Sequence, residues 1–291
     1  MERNVIFGDD EGGSRDLENS GIVIVPVPYD KTSTWMKGAD KGPFSILEAS
    51  PNLEFYDIET DREVFRKGIY TAKPVRSDAS AEKMSKAVRD EVLKYHALGK
   101  FVVLLGGEHS VSIGAIQAFA LRVKDLTILQ LDAHADLREE YEGSKFNHAC
   151  VMARAREICP IVQVGIRSMS LGEKDGIDRK RVFLAEDIAV DPKRAWMDKV
   201  INRLTGNVYV TIDLDVFDPS IMPSTGTPEP GGLGWYDVTA LLRKVAEKKN
   251  IVGFDCVELC PNANDKAPDF LAAKLVYKLL SYVFASKSKR K

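Results

Sequence analysis

Short apolar runs alternate with longer amphipathic segments along most of this chain, and this alternation constrains the fold more than any other feature. A short, continuous apolar run is typical of a buried strand, and apolar positions three or four residues apart are typical of a helix. On this basis strands are predicted at 22–25, 101–105, 128–131, 161–164, 182–184, 208–212 and 251–257. Helices are predicted at 80–98, 112–123, 149–158, 193–204, 236–249 and 267–284.

Strands that alternate with helices form a mainly parallel sheet with helices on both faces. We therefore predict an α/β fold with three layers, α/β/α. The chain has 291 residues, of which 44% are hydrophobic, and no low-complexity linker divides it, so we expect one domain over 1–291. Within that domain, residues 1–20 are predicted as an N-terminal arm and 286–291 as a solvated basic tail.

Charge and hydropathy exclude several classes of function. The 41 basic and 43 acidic residues nearly cancel, so no nucleic-acid-binding surface is expected. No apolar run approaches the ~20 residues of a membrane helix. The N-terminus does not resemble a signal peptide. The four cysteines form no CxxC pair and are predicted to be reduced thiols. We therefore predict a cytoplasmic protein without a membrane or nucleic-acid partner.

Three segments that directly follow predicted strands carry candidate metal ligands. They are Gly106-Gly107-Glu108-His109, Asp132-Ala133-His134-Ala135-Asp136 and Asp213-Leu214-Asp215. In an open parallel sheet, ligands gather at the carboxyl ends of the strands. The three segments are therefore expected to meet at one edge of the sheet.

The acidic segments pack carboxylates unusually densely. Alternate side chains of an extended chain point to the same side, so Asp132, His134 and Asp136 are predicted to converge, as are Asp213 and Asp215. Carboxylates that follow a buried strand are destabilised by desolvation and mutual repulsion unless a cation lies among them. We therefore predict a metal site.

The number and chemistry of these ligands indicate two cations. Four aspartates bring about four negative charges, which two divalent ions balance, and paired ions lie about 3.5–4 Å apart in such centres. Oxygen donors dominate, so manganese is favoured over structural zinc, although iron, cobalt or nickel also suits these ligands. Two other polar residues are predicted to lie outside the site. His96 is expected to be structural, and Asp218 is expected to be a turn or cap residue.

The three motifs, in this order, resemble those of the ureohydrolases, the family of arginase and agmatinase. The resemblance covers most of the chain, includes the segments 27–30, 42–43 and 225–232, and is greatest to the microbial agmatinases. It implies an arginase-like fold and two Mn²⁺ ions per subunit, with Asp132 and Asp213 bridging them. One ion would be held by His109, Asp132, Asp136 and Asp213, and the other by Asp132, His134, Asp213 and Asp215.

The resemblance also implies two further site residues. His148 occupies the position of a proton-shuttling histidine, and Glu258 that of the glutamate that binds the guanidinium. Ala149 replaces a glycine that many members have, and residues 259–260 also depart from the family pattern. Family members usually form trimers or hexamers, so a homo-oligomer is expected.

The expected reaction is hydrolysis of agmatine to putrescine and urea, a step of polyamine biosynthesis. A hydroxide between the two cations would attack the guanidinium, Asp136 would receive a proton, and His148 would exchange it with solvent. If the acidic segment 138–142 rims the pocket, its net negative charge would favour a substrate with an ammonium tail; the alternative is a solvated acidic loop without substrate contact. The alternatives are arginase, guanidinobutyrase or formiminoglutamase, a single-zinc deacetylase of the same fold, and a non-catalytic scaffold.

Overall fold

The structure, a computed structural model, describes residues 6–8, 16–77 and 80–289, with side chains up to residue 286. Eight strands form one sheet, and all the strand pairings among these residues are parallel. The strands are β1 (Ile22–Val27), β2 (Ile69–Thr71), β3 (Phe101–Gly106), β4 (Leu126–Leu131), β5 (Ile161–Ile166), β6 (Val182–Leu184), β7 (Asn207–Asp213) and β8 (Asn250–Val257).

The helices include all six that the sequence predicts. They are α1 (Gly42–Ala49), α2 (Ala81–Ala97), α3 (Ser112–Arg122), α4 (Val151–Arg156), α5 (Leu171–Lys174), α6 (Ala185–Ala189), α7 (Trp196–Arg203), α8 (Trp235–Lys248) and α9 (Ala267–Lys289). In α2, Ser80 caps the first turn, and Met84, Val88 and Val92 are buried at a spacing of one turn. None of the helices in the described ranges is both long and apolar enough to cross a bilayer.

The sheet lies between two helical layers, which confirms the predicted three-layer α/β/α fold. Successive residues of each buried strand point to opposite faces. In β1, Ile22 and Ile24 belong to one core, which also contains residues of α1, α7, α8 and α9. Val23 and Val25 belong to the other core, with residues of α2, α3 and α4. All four cysteines carry free thiols, as predicted.

The strand order brings the predicted motifs together. Across the sheet the order is β2-β1-β3-β8-β7-β4-β5-β6, so β8 and β7 separate β3 from β4, although these two strands are consecutive in the chain. Because the strands are parallel, the central four end at the same edge, which we call the carboxyl edge. Such an edge is where open α/β sheets bind ligands.

The sequence did not predict β2, α1, α5 or α6, and the two chain ends differ from expectation. Phe7 lies in the predicted arm but is buried, and its N–H donates to Thr71 Oγ1 at 3.0 Å. That part of the arm is therefore packed, whereas residues 1–5 and 9–15 lie outside the described residues. The predicted tail begins too early, because α9 continues to Lys289; residues 290–291 are also outside the described part.

Candidate metal centre and active site

A cavity of about 300 Å³ opens at the carboxyl edge of the sheet. Six of the predicted site residues line it. They are His109, His134, Asp136, His148, Asp213 and Glu258. The other two, Asp132 and Asp215, are buried immediately beside them. The structure therefore brings together all eight residues that the sequence singles out.

The candidate ligand atoms form two overlapping groups, each with its atoms within 4.8 Å of one another. One group contains His109, Asp132 and Asp213, and the other contains Asp132, His134 and Asp215. Asp132 belongs to both, as a bridging ligand would. Asp136 lies outside these groups, although its Oδ2 is 3.0 Å from His109 Nδ1, and Asp213 belongs to the first group alone.

The local conformation that produces this convergence is a turn. The side chains converge as predicted, but the predicted cause, an extended chain, is wrong, because β4 ends at Leu131 and β7 ends at Asp213. Asp132 Oδ1 accepts from the N–H of His134 at 2.5 Å, and Asp213 Oδ1 accepts from the N–H of Asp215 at 2.9 Å. Short polar side chains favour such turns.

The orientation of His109 is set by a chain of hydrogen bonds behind it. Its Nε2 lies 2.8 Å from Thr211 Oγ1, and the Thr211 hydroxyl donates to Asp255 Oδ1 at 2.6 Å. Since that hydroxyl has one proton, its oxygen accepts from Nε2–H. His109 Nδ1 then faces Asp132 Oδ2 at 3.2 Å with no hydrogen-bond partner. A buried ring nitrogen that faces carboxylates in this way fits a metal ligand.

A pair of buried amides holds Asp132. Gln130 Nε2 donates to Asp132 Oδ2 at 2.7 Å, and Gln163 Nε2 donates to Gln130 Oε1 at 2.6 Å. Sequence reasoning did not assign a role to these glutamines, nor to Thr211 and Asp255. Each is a buried polar residue within a largely apolar strand, and that pattern could have indicated them.

The pKa values show how poorly this group of carboxylates is balanced without a cation. Burial, followed by the charge of Asp132, raises the pKa of Asp136 to about 7. Burial and the charges of Asp215 and Asp132 raise the pKa of Asp213 well above its usual range. Burial lowers the pKa of His109, but Asp132 and Asp136 outweigh it and hold that pKa well above the usual value. These donors therefore fit divalent cations.

Glu258 occupies the cavity wall directly after β8 in a strained conformation. Its φ of 67° is rare for a residue with a side chain, and such strain is typical of functional sites. Its Oε1 accepts from the N–H of His109 at 2.6 Å. A Cβ at Gly226 would lie 3.5 Å from its Oε2, so this glycine leaves space beside that oxygen.

His148 lines the same cavity and is held by Thr32. Its main-chain N–H donates to Thr32 Oγ1 at 3.0 Å, and its Nδ1 lies 3.3 Å from the same oxygen. Burial, and then the charges of His109 and His134, lower the pKa of His148 to about 4. The imidazole is therefore neutral at neutral pH.

The glutamates of the acidic segment 138–142 are not among the residues that line this cavity. The residues of this segment in the cavity wall are Arg138 and Tyr141, with the Arg138 guanidinium 4.2 Å from the Tyr141 ring centre. Glu139 instead forms ion pairs with Arg154, at 2.7 Å, and with Arg156. The predicted source of selectivity for an ammonium tail is therefore wrong.

The two residues predicted to lie outside the site have the expected roles. Asp218 accepts hydrogen bonds from the N–H groups of Ser220, Gly231 and Gly232, at 3.0 Å each, and so holds a turn. His96 lies in α2, half-buried, with its ring 5.7 Å from that of Phe119.

Comparisons with known proteins agree with this geometry. The Arginase family model matches residues 20–281. A relative from Synechocystis sp., N(1)-aminopropylagmatine ureohydrolase, is 38% identical over 94% of this chain and 92% of its own length. The agmatinase of Pyrococcus horikoshii is 32% identical over 90% of this chain and 92% of its own. The solved agmatine ureohydrolase of Thermoplasma volcanium superimposes with a TM-score of 0.88 at 31% identity, covering 100% of this chain and 98% of that one.

Proposed function

The chain belongs to the arginase family and is a ureohydrolase, and we propose that it hydrolyses the guanidino group of agmatine to putrescine and urea. The observation that carries this proposal is the cavity at the carboxyl edge, where two candidate ligand groups share Asp132 and lie beside Glu258. A guanidinium that enters this cavity meets acidic groups on its wall, including Asp136, Asp213 and Glu258.

The family generally uses a binuclear metal centre, and we propose two Mn²⁺ ions here. When bound, the ions lower the pKa of a hydrolytic water and neutralise the crowded carboxylates. Oxygen donors with two imidazoles and no thiolate favour manganese over zinc. The proposed ligands of one ion are His109, Asp132, Asp136 and Asp213, and those of the other are Asp132, His134, Asp213 and Asp215.

Glu258 is proposed to bind and orient the substrate. A carboxylate pairs with a guanidinium through charge-assisted hydrogen bonds that fix its plane. Oε1 of Glu258 already accepts from His109, so Oε2, on the side of Gly226, is the oxygen with more free acceptor capacity. The hydrogen bond from His109 also keeps this carboxylate in place before substrate arrives.

Proton transfer is assigned to Asp136 and His148. Water must lose a proton as it attacks, and the amine must gain one as the C–N bond breaks. The Asp136 carboxylate lines the cavity beside His109 and is proposed to hold that proton first. His148 lies at the half-exposed side of the cavity, is neutral and is proposed to exchange the proton with solvent.

Two candidate substrates differ in the tail that extends from the guanidino group. A second candidate, N(1)-aminopropylagmatine, is favoured by the names of relatives at 38% and 39% identity. Both candidates carry an amine tail. Glu173 supplies an acidic group in the cavity wall for such a tail, whereas Arg138 beside it would favour a carboxylate. Agmatine, N(1)-aminopropylagmatine and the guanidino acids can be distinguished by experiment.

The test compares kcat/KM of the manganese-loaded protein for agmatine, N(1)-aminopropylagmatine, arginine and 4-guanidinobutyrate. We expect one of the two amines to exceed both guanidino acids by more than about tenfold, equivalent to ~1.4 kcal/mol of transition-state binding. Values for arginine or 4-guanidinobutyrate equal to or above those for the amines would contradict the proposal. Light scattering tests the expected trimer or hexamer.

A further inference from the structure

Arg167 follows β5, and its guanidinium donates to main-chain carbonyl oxygens of three separate segments. One segment is its own strand end, the second follows β7 and the third contains residues 229–230. The donor–acceptor distances are 2.6 Å to Asp215, 3.3 Å to Phe217, 3.5 Å to Val216, 3.2 Å to Gly165, 2.8 Å to Glu229 and 3.1 Å to Pro230. The main-chain N–H of Arg167 also donates to the carbonyl of Ala133 at 2.8 Å.

The segments that Arg167 holds surround His134. Asp215 Oδ2 lies 2.9 Å from His134 Nδ1, and Asp215 Oδ1 accepts from the N–H of Ala133 at 2.9 Å. On the other side of the ring, Glu229 Oε1 lies 3.8 Å from His134 Nε2. One guanidinium therefore fixes the backbone on both sides of a single imidazole.

The other candidate ligand group is supported by different residues. His109 is held by Thr211 and Glu258, as described above, and Asp213 is the last residue of β7. Within the described part of the chain, Arg167 makes no hydrogen bond to His109 or Asp213. The side chains that support the two groups are thus different, although the groups are linked through Asp132 and through Asp213, whose Oδ1 accepts from the N–H of Asp215.

We propose that Arg167 is a positioning residue for one cation only, the one held by His134 and Asp215. This inference rests on the two-cation centre of the proposed function. The arginine fork has five N–H donors in a fixed plane and can hold two loops at once, whereas the three donors of lysine share one atom. Lysine at this position would keep the charge but lose the geometry.

The experiment titrates metal-free protein with Mn²⁺ alone and resolves two dissociation constants. The variants are Arg167→Lys and Arg167→Gln. We expect the ion held by His134 and Asp215 to bind about 10–100-fold more weakly in both variants, as for other residues that orient metal ligands. The dissociation constant of the other ion should change less than about threefold. Electron paramagnetic resonance at intermediate Mn²⁺ should then show isolated ions where the unaltered protein shows coupled pairs.

The matched control is Arg181→Lys. Arg181 directly precedes β6, at the end of the sheet where the strands begin and away from the carboxyl edge. Its guanidinium donates to the carbonyl of Arg203 at 3.0 Å. We expect this variant to bind both ions as the unaltered protein does. A merely structural role of Arg167 would lower the metal-free melting temperature without separating the two constants.

Three results would overturn the inference: equal weakening of both ions, no weakening of either, or loss of folding in both variants. These results differ from failure of the proposed function. If the unaltered protein binds two Mn²⁺ ions but releases no urea from any guanidino compound, the function fails and an asymmetric effect of Arg167 still stands. If the unaltered protein binds no pair of ions, both fail.

Discussion

Glu258 Oε1 accepts a 2.6 Å hydrogen bond from the main-chain N–H of His109. The first residue follows β8 and the second lies just after β3, and these two strands are neighbours in the sheet. The contact joins the proposed substrate-binding carboxylate to a proposed metal ligand. It also helps to hold the positive φ of Glu258, a conformation that costs roughly 1–3 kcal/mol and needs support from its surroundings.

Replacing Glu258 by glutamine should impair substrate binding and leave the metal centre intact. The Gln oxygen can still accept from His109, but the negative charge that faces the guanidinium is lost. We expect kcat/KM to fall about 10–150-fold, which corresponds to the ~1.5–3 kcal/mol of a charged hydrogen bond. Steady-state kinetics and bound manganese measure the two effects. The control is Glu247→Gln on the exposed face of α8. An unchanged kcat/KM would contradict the role of Glu258.

Replacing Thr211 by valine should weaken metal binding. Valine keeps the shape but removes the acceptor of His109 Nε2–H and the link to Asp255. Loss of such an orienting partner typically lowers metal affinity about 10–100-fold. Competition with a fluorescent chelator measures this, and Thr211→Ser should restore binding. Thr127→Val is the control, because Thr127 bonds to Thr205 at the far end of β4. Equal Mn²⁺ affinities of the two valine variants would disprove the role of Thr211 in orienting His109.

Replacing Arg138 by glutamine should change the preference for the substrate tail. The Arg138 guanidinium lies in the cavity wall, 3.8 Å from Glu173. Its removal leaves Glu173 with less competition, so agmatine should gain about two- to fivefold in kcat/KM, as expected for a half-exposed charge of up to ~1 kcal/mol. For 4-guanidinobutyrate the value should fall. The control is Arg66→Gln, which changes an exposed arginine before β2. Unchanged values for both substrates would show that Arg138 does not act on the tail, and a gain for the acid would contradict the predicted direction.

Stability at low pH should depend on Asp57. Burial raises its pKa, but hydrogen bonds from Lys278 and Thr60 and the charge of Lys278 outweigh burial and lower the pKa below 3.8. A carboxylate whose pKa is lower in the folded than in the unfolded state stabilises the protein at pH values above the unfolded-state pKa. That stabilisation is lost as the pH falls through the folded-state pKa. Leaving a buried charge without any partner costs about 3–5 kcal/mol, so Asp57→Asn should lower the free energy of unfolding by at most that amount at pH 7 and by less below pH 3.8.

Denaturant titrations across this pH range measure the effect of Asp57. The matched control is Asp198→Asn, which breaks an Asp–Lys pair of 2.6 Å whose aspartate side chain is 68% exposed. The expected change there is under about 1 kcal/mol. Because Glu59 also contacts Lys278, at 3.1 Å, some of the lysine charge stays paired when Asp57 is changed. Equal losses in the two variants would contradict a special role for the buried pair.

The layers and the candidate metal ligands could be predicted because both follow from local patterns, whereas His148 and Glu258 were indicated by the family resemblance alone. The apolar runs of β3, β4 and β7 are long enough to identify, and each motif follows its strand directly. The strand β2 has three residues at a sheet edge, and α5 and α6 have four and five, so their periodicity is too short to detect. The helix α1 begins at Gly42-Pro43, and proline is common in a first helical turn, so this helix could have been found.

What the sequence could not supply are the long-range contacts. The partners Thr211 and Asp255 of His109 depend on the order β3-β8-β7, which no local pattern encodes. The expectation that the acidic segment 138–142 selects the substrate tail was wrong for the same reason. Glu139 pairs instead with Arg154 and Arg156, which lie 15 and 17 residues later in the chain, and the net charge of the segment alone could not reveal this.

The decisive measurement for a metal-dependent agmatinase is urea release from agmatine by the purified protein, with manganese added and after removal of metal by a chelator. We expect urea and putrescine in equal amounts with manganese, loss of activity on chelation and recovery when manganese is returned. Urea release that is unaffected by chelation, or no urea from agmatine or N(1)-aminopropylagmatine with manganese bound, would contradict the proposal.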